Sequence, residues 1–210
     1  MNLLIIGASG GTGRALVEQA LALGHSVTAF VRNPAKLRIT HECLMTLKGN
    51  VLDEESLHRA VQGKDAVLSA LGHKRWFMKT TILSRGTKNI ISAMEKHGVK
   101  RFICETSLGV GNSRGRLGLY YTLFVIPFIT YFYFKDKGRQ EQLIKESSLD
   151  WVIVRPGQLT NGRKRGVYRH GEGIGSYIFT VRISRADVAD FMLRQLADDS
   201  YLRRTVALAY

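Results

Sequence analysis

Cysteine, acidic residues and repeated sequence are what this 210-residue chain has least of. Its only cysteines, Cys43 and Cys104, have apolar neighbours and no paired spacing. That excludes a disulfide framework and reads as reduced, packed side chains in a reducing cytoplasm. No zinc pattern is present, and His73, His97 and His170 have no ligand spacing to one another, so no metal site is expected. Neither an internal repeat nor a low-complexity tract occurs. A strand-like run begins at residue 2 and neither end carries a signal or targeting pattern, which points to a cytoplasmic protein.

Negative charge is scarce in absolute and relative terms. Lys and Arg number 31 against 17 Asp and Glu, for a formal charge of +14 and a pI near 10.1. Such a balance invites a nucleic-acid or membrane reading. The basic residues are dispersed, however, with local clusters at Lys74-Arg75, Lys135 to Arg139 and Arg163-Lys164-Arg165, and no aromatic-interleaved RNA motif accompanies them. A solvated basic surface, with no specific nucleic acid, is therefore the first expectation; attraction of anionic small molecules is the second, and a polymer or lipid partner the third.

With 45% hydrophobic residues, the chain can bury one substantial domain. It opens on the apolar run Asn2 to Ile6, followed by Gly7-Ala8-Ser9-Gly10-Gly11-Thr12-Gly13. A helical pattern comes next, with Leu16, Val17, Ala20 and Leu21 on one face and Gly24 as its stop. Strand, glycine turn and helix in that order are the arrangement that receives a dinucleotide. Residues without Cβ let the backbone turn sharply and approach a pyrophosphate, and the N–H groups at the helix start meet its charge.

Further strands are expected at Ser26–Val31, Leu44–Leu47, Asp65–Gly72, Arg101–Thr106 and Trp151–Val154. Helices are expected from Asp53, from about Thr80 to His97, and from Ser184-x-x-Asp187, the last burying Val188, Phe191, Met192 and Leu196. Strands alternating with helices imply a parallel sheet covered on both faces. Leu117–Phe134 carries no charged residue and just reaches the length of a membrane span. Gly118, Pro127, Thr122, Thr130 and several tyrosines interrupt it, so a pocket lid or subunit contact is expected ahead of an interfacial membrane contact or a span.

With these elements placed, the chain resembles the atypical short-chain dehydrogenase/reductases, in particular the small NAD(P)H-binding, NmrA-like proteins similar to biliverdin-IX-beta/flavin reductase. The marks are Gly7 to Gly13, Val31-Arg32-Asn33, Gly49-Asn50-Val51-Leu52-Asp53, Asp65 to Leu68, Glu105-Thr106-Ser107, Trp151 to Gly157, and Ile183 to Leu193. The resemblance covers the whole length. It implies an α/β, Rossmann-type doubly wound parallel sheet as one domain over residues 1–210, with a small substrate lobe from segments near 108–136 and 157–183. It places Gly7, Ser9, Gly10, Gly11, Thr12 and Gly13 at the pyrophosphate, Asn50 and Val51 beside adenine, and Ala70, Leu71 and Gly72 along the ribose nearer nicotinamide. Asn50 stands where the relatives usually have aspartate, keeping a carbonyl acceptor and gaining an amide donor.

An NAD-preferring site usually holds the ribose hydroxyls with an acid at the end of the second strand. This strand ends Phe30-Val31-Arg32. Arg32, with Lys36 as a second cation, suits the 2′-phosphate of NADP(H); NAD(H) is the alternative cofactor. The family-like register Tyr133-x-x-x-Lys137 puts Tyr133 and Lys137 where a proton-donating pair would sit, with Ser107 as the third member. The same spacing occurs at Tyr131 and Lys135 within an aromatic run. The flavin-reductase relatives manage without such a tyrosine, and have histidines where this chain has Lys137 and Gln158.

The expected function is an NAD(P)H-dependent oxidoreductase passing hydride to a small acceptor such as a flavin or quinone-like ring, which solvent can protonate. Two other readings stay open: a non-catalytic NADP(H)-sensing regulator of the NmrA type, and a carbonyl reductase or epimerase using Ser107, Tyr133 and Lys137.

Overall fold

The computed structural model describes residues 1–73 and 78–210; the basic pair Lys74-Arg75 lies outside the described residues. The chain runs β1 (Asn2–Ile6), α1 (Gly11–Ala22), β2 (Ser26–Val31), β3 (Leu44–Lys48), α2 (Glu54–Val61), β4 (Ala66–Ser69), α3 (Ile82–Lys96) and β5 (Arg101–Glu105). It continues α4 (Tyr131–Glu146), β6 (Asp150–Pro156), β7 (Gln158–Thr160), β8 (Arg169–Gly171), β9 (Arg182–Ser184), α5 (Arg185–Arg194) and β10 (Arg204–Ala209). Eight strands form one sheet in the order β3-β2-β1-β4-β5-β6-β10-β8. All neighbours are parallel except β8, which closes the edge antiparallel to β10. The strand order reverses between β1 and β4, which makes this a Rossmann sheet with its switch point at the first strand. A separate parallel pair, β7 and β9, lies outside it.

β1 shows why the sheet must be covered twice. Leu3 and Ile5 point into one core with α1 and α5, whereas Leu4 and Ile6 point into the other with α2 and α3. All four are fully buried, so this strand reads as continuous apolar sequence rather than as an alternation.

The helix starts are built differently. At α5, Ser184 Oγ accepts from the Asp187 N–H at 3.0 Å and donates to its carboxylate at 2.8 Å, the local cap expected there. α3 has no such side chain at Thr81. Its cap comes from α4: the buried Asp136 carboxylate accepts from Leu83 N at 2.9 Å, Ser84 N at 3.3 Å and Ser84 Oγ at 2.5 Å. An anion there satisfies otherwise orphaned donors and the positive helix end, and it fixes α4 against α3 below the sheet's C-terminal edge.

Cys104 is buried as expected, but Cys43 is exposed. It precedes the edge strand β3, which has a neighbour on one side only and leaves most of its residues open to solvent. Leu117–Phe134 becomes a π-helical stretch, Tyr121–Ile129, and the first turn of α4, broken at Thr130. Among the described residues no helix is long and apolar enough to cross a membrane. Part of the segment turns inward, with Leu117, Tyr121 and Phe134 packing around Leu108 and Ala207. Much of the rest faces solvent.

Candidate active site

The turn from β1 into α1 depends on missing side chains. Gly7 has φ +78°, and a Cβ there or on Gly13 would run into the Ala70 or Gly7 carbonyl respectively. The Gly10 N–H donates to the Gly7 carbonyl at 2.9 Å and the Arg14 N–H to that of Gly10 at 2.8 Å. α1 starts with no side-chain cap and no acid in its first turn. The donors of Gly11, Thr12 and Gly13 therefore head a twelve-residue helix whose own first turn carries no acid, a cradle that fits a pyrophosphate.

Two clefts meet over this turn. One, of about 360 Å³, is lined by residues including Ser9, Gly10, Gly11, Arg14, Asn161 and Arg185. The other, of about 310 Å³, is lined by Ser9, Arg14, Ala35, Lys36 and Arg38, three cations and no carboxylate. Arg14 Nη2 donates to the Lys36 carbonyl at 2.9 Å, joining α1 to the turn after β2. Asn33 Oδ1 accepts from Ala35 N at 3.1 Å and so sets Lys36 on a short 3₁₀ turn, Pro34–Lys36. Lys36 lines this cleft, whereas Arg32 lies just beyond β2 and outside that lining. Arg14 and Arg38 were missed. Arg14 was legible in principle, as the cation directly after the glycine turn.

Asn50 is exposed and its side-chain carbonyl accepts from Leu52 N at 3.1 Å, so that oxygen serves the turn into α2. Val51 is buried; Gly86 of α3 packs on it, where a Cβ would come within 2.8 Å of Val51 Cγ2. Its carbonyl accepts from Asn89 Nδ2 at 3.1 Å. Ala70, Leu71 and Gly72 leave β4 beside the glycine turn. A Cβ on Gly72 would lie 3.7 Å from the Tyr133 hydroxyl, which brings α4 to this end of the sheet.

Tyr133 and Lys137 come together. Lys137 is 4% exposed; its Nζ lies 5.1 Å from the Tyr133 ring centre and donates to the Thr106 carbonyl at 2.9 Å. Ser107 follows β5 at the same edge, with its hydroxyl donating to the adjacent Leu108 carbonyl at 3.0 Å. Below them Thr106 Oγ1 donates to Glu141 at 2.7 Å, and Glu141 holds Arg155 through Nε at 2.9 Å and Nη2 at 2.5 Å. This buried pair anchors α4 to β5 and β6.

Two groups at this edge were not singled out from sequence as site residues. The buried Glu105 accepts from Thr12 Oγ1 at 3.1 Å, tying the glycine turn to β5. Burial pushes its carboxyl above the ordinary value, against the opposing pull of Lys137, the Thr12 hydroxyl and Arg185. His73 stacks edge-on to Tyr133 with ring centres 5.0 Å apart, and its Nε2 lies 3.0 Å from Thr80 Oγ1. Thr80, set just ahead of α3, therefore supports His73. No spacing rule could reveal the ring contact, because His73 follows β4 whereas Tyr133 belongs to α4.

A glycine cradle at the switch point of a Rossmann sheet, opening onto a carboxylate-free basic cleft, defines a dinucleotide-binding protein. The chain belongs to the NAD(P)H-binding family, whose profile matches residues 7–199, among the atypical short-chain dehydrogenase/reductases. It is 30% identical over 178 residues to an uncharacterised chloroplast protein of Arabidopsis thaliana, covering 79% of this chain and 61% of that one. It is 28% identical over 220 residues to the photosystem II assembly factor Ycf39 of Synechocystis, covering 98% and 61%. The chain thus spans about three fifths of the length of these relatives. The fold is similar to that of ChuY, an anaerobillin reductase of Escherichia coli O157:H7, with TM-score 0.81 at 24% identity over 100% of this chain and 97% of that one.

Proposed function

We propose that this chain is an NADPH-dependent reductase of a small ring-shaped acceptor, of the flavin or quinone type. The observation that carries the cofactor assignment is the second cleft, where Arg14, Lys36 and Arg38 converge without a carboxylate. Such a lining favours a 2′-phosphate and offers nothing to grip a free 2′-hydroxyl in the manner of an NAD site. Ser9 to Gly13 hold the pyrophosphate on the α1 N–H groups, Asn50 and Val51 border adenine, and Ala70 to Gly72 run along the second ribose. Arg32 adds long-range positive charge.

When bound, the reduced nicotinamide supplies the two electrons and the hydrogen. The protein's share is placement: Gly72, Tyr133 and His73 border the acceptor position, Lys137 adds fixed positive charge beneath it, and Ser107 orients a substrate oxygen. The segments near 108–136 and 157–183 form the substrate lobe. A second reading, carbonyl reduction, is favoured by the proximity of Lys137 to Tyr133, whose hydroxyl would then donate the proton.

NADPH consumption against a panel of flavins, quinones and aldehydes tests the proposal. Turnover with the ring acceptors supports it and turnover confined to aldehydes favours the second reading. Tight NADPH binding with no turnover would assign the chain a sensing role instead.

A further inference from the structure

The long uncharged segment and a distant loop build one outward surface of the proposed substrate lobe. The loop Tyr177-Ile178-Phe179 is joined to the residues before the π-helical stretch: Leu119 N donates to the Ile178 carbonyl at 3.2 Å, and Ser176 N to the Arg116 carbonyl at 2.8 Å. Gly118 admits this contact, since a Cβ there would fall 2.7 Å from the Phe179 carbonyl. No residue of Tyr121–Ile129 is buried, although all nine are uncharged and most are apolar. Phe128 is 77% exposed, Phe179 74% and Ile178 69%. A contiguous apolar face of this kind on a water-soluble surface marks a docking site.

Charge identifies what docks. The stretches 107–135 and 157–186 contain nine Lys and Arg and a single acid, Glu172. Cations border the apolar face: Arg116 Nε lies 3.4 Å from the Tyr177 hydroxyl and Lys135 Nζ 6.0 Å from the Tyr131 ring centre, while Arg182 on β9 is exposed and held by Gln158 at 3.0 Å. A second copy of this chain would set one positive rim against another. A nucleic acid would meet aromatic and aliphatic side chains rather than cations at the centre. An anionic bilayer complements both parts, with acyl chains for the apolar centre and lipid phosphates for the rim.

We propose that this face seats the protein on the surface of an anionic lipid bilayer, with Phe124, Phe128, Ile178 and Phe179 entering the interface and Arg114, Arg116 and Lys135 at headgroup level. The proposal is independent of which acceptor is reduced.

Co-sedimentation with vesicles of phosphatidylglycerol mixed with phosphatidylcholine, against phosphatidylcholine alone, tests it on the full chain. Binding to the mixed vesicles and not to the neutral ones is expected. The double variant Phe128→Ser/Phe179→Ser should weaken it about tenfold or more by removing the inserted side chains, and Arg114→Gln/Lys135→Gln should weaken it and reduce its salt dependence. NADPH affinity, unchanged in both variants, reports an intact fold. Absence of vesicle binding by the wild-type chain would overturn the proposal, as would binding that the Phe128→Ser/Phe179→Ser variant retains in full. So would a solution dimer that this variant dissociates in a chain that ignores vesicles, which would assign the face to a second copy.

Discussion

Lys137 spends one of its donors on the Thr106 main-chain carbonyl, 2.9 Å away, while its charge lies 5.1 Å from the Tyr133 ring centre. The lysine is therefore held by β5 as much as by its own helix. Its cation is aimed at the end of the sheet where Gly72 and Tyr133 meet. The pairing that sequence spacing suggested exists in space, and its chemical role follows from how Tyr133 responds to substitution.

Tyr133→Phe should leave turnover with a flavin or quinone within about threefold of wild type, because no alkoxide needs the phenolic proton. With an aldehyde the same variant should lose about 10²-fold or more if the tyrosine is the general acid. Steady-state rates with both acceptors, on protein shown to be folded by circular dichroism, measure this. A large loss with the aldehyde alone, from an efficient starting activity, would move the proposal to carbonyl reduction.

Lys36→Ala should reduce the preference for NADPH over NADH by about tenfold or more, the scale of one hydrogen bond to a charged group. Arg32→Ala should cost less, since Lys36 lines the cleft and Arg32 lies outside it. Calorimetric titration of both variants with both cofactors checks the order. A greater effect at Arg32 would relocate the 2′-phosphate to the end of β2.

Gly13→Ala forces a Cβ against the Gly7 carbonyl, which only a shift of the turn can relieve. Cofactor affinity should fall at least tenfold, about 1.4 kcal/mol or more, even where thermal melting shows the fold retained. Wild-type affinity in the folded variant would mean that the cofactor does not rest on this turn.

Glu141→Gln leaves the Arg155 guanidinium, 3% exposed, without its anion. Removing one partner of a buried pair typically costs about 3–5 kcal/mol, so urea unfolding should show a large loss of stability. The double change Glu141→Gln/Arg155→Met should recover part of it. A loss below about 1 kcal/mol in the single variant would show that the pair is hydrated.

Asp187 contributes to the acid limb of stability at α5, together with Asp190 on the same helix. Burial alone would raise its carboxyl, but hydrogen bonds from the Tyr210 hydroxyl, the Gly166 N–H, Ser184 and the Arg165 N–H outweigh that and hold it below the ordinary carboxylate value. A group lowered in the folded state contributes stability that is fully present above its unfolded value, roughly 3.9, and is lost as pH falls through the folded value. Unfolding free energy should fall below about pH 4, and Asp187→Asn should lessen that fall while lowering stability at neutral pH. An unchanged acid limb in the variant would place the titrating group elsewhere.

The local periods of the chain alone determined most of its elements. Leu3 to Ile6, the glycine turn and the face Leu16, Val17, Ala20 and Leu21 are decided by side-chain spacing and by the need for bare backbone, and the α5 cap by a hydroxyl three residues from its partner. β10, Arg204–Ala209, was not among the expected strands. Tertiary structure alone decided that Asp136 caps a helix more than fifty residues earlier. It likewise decided that Arg14 and Arg38 join Lys36 in one cleft, that His73 meets Tyr133, and that Cys43 faces solvent. It also decided how the uncharged segment lies, with Leu117 and part of Tyr121 and Phe134 turned inward and much of the rest facing outward. Spacing along a chain reports which face of its own element a residue occupies. Which other element comes to that face depends on strand order and crossover packing, and those are set by burial summed over the whole sheet.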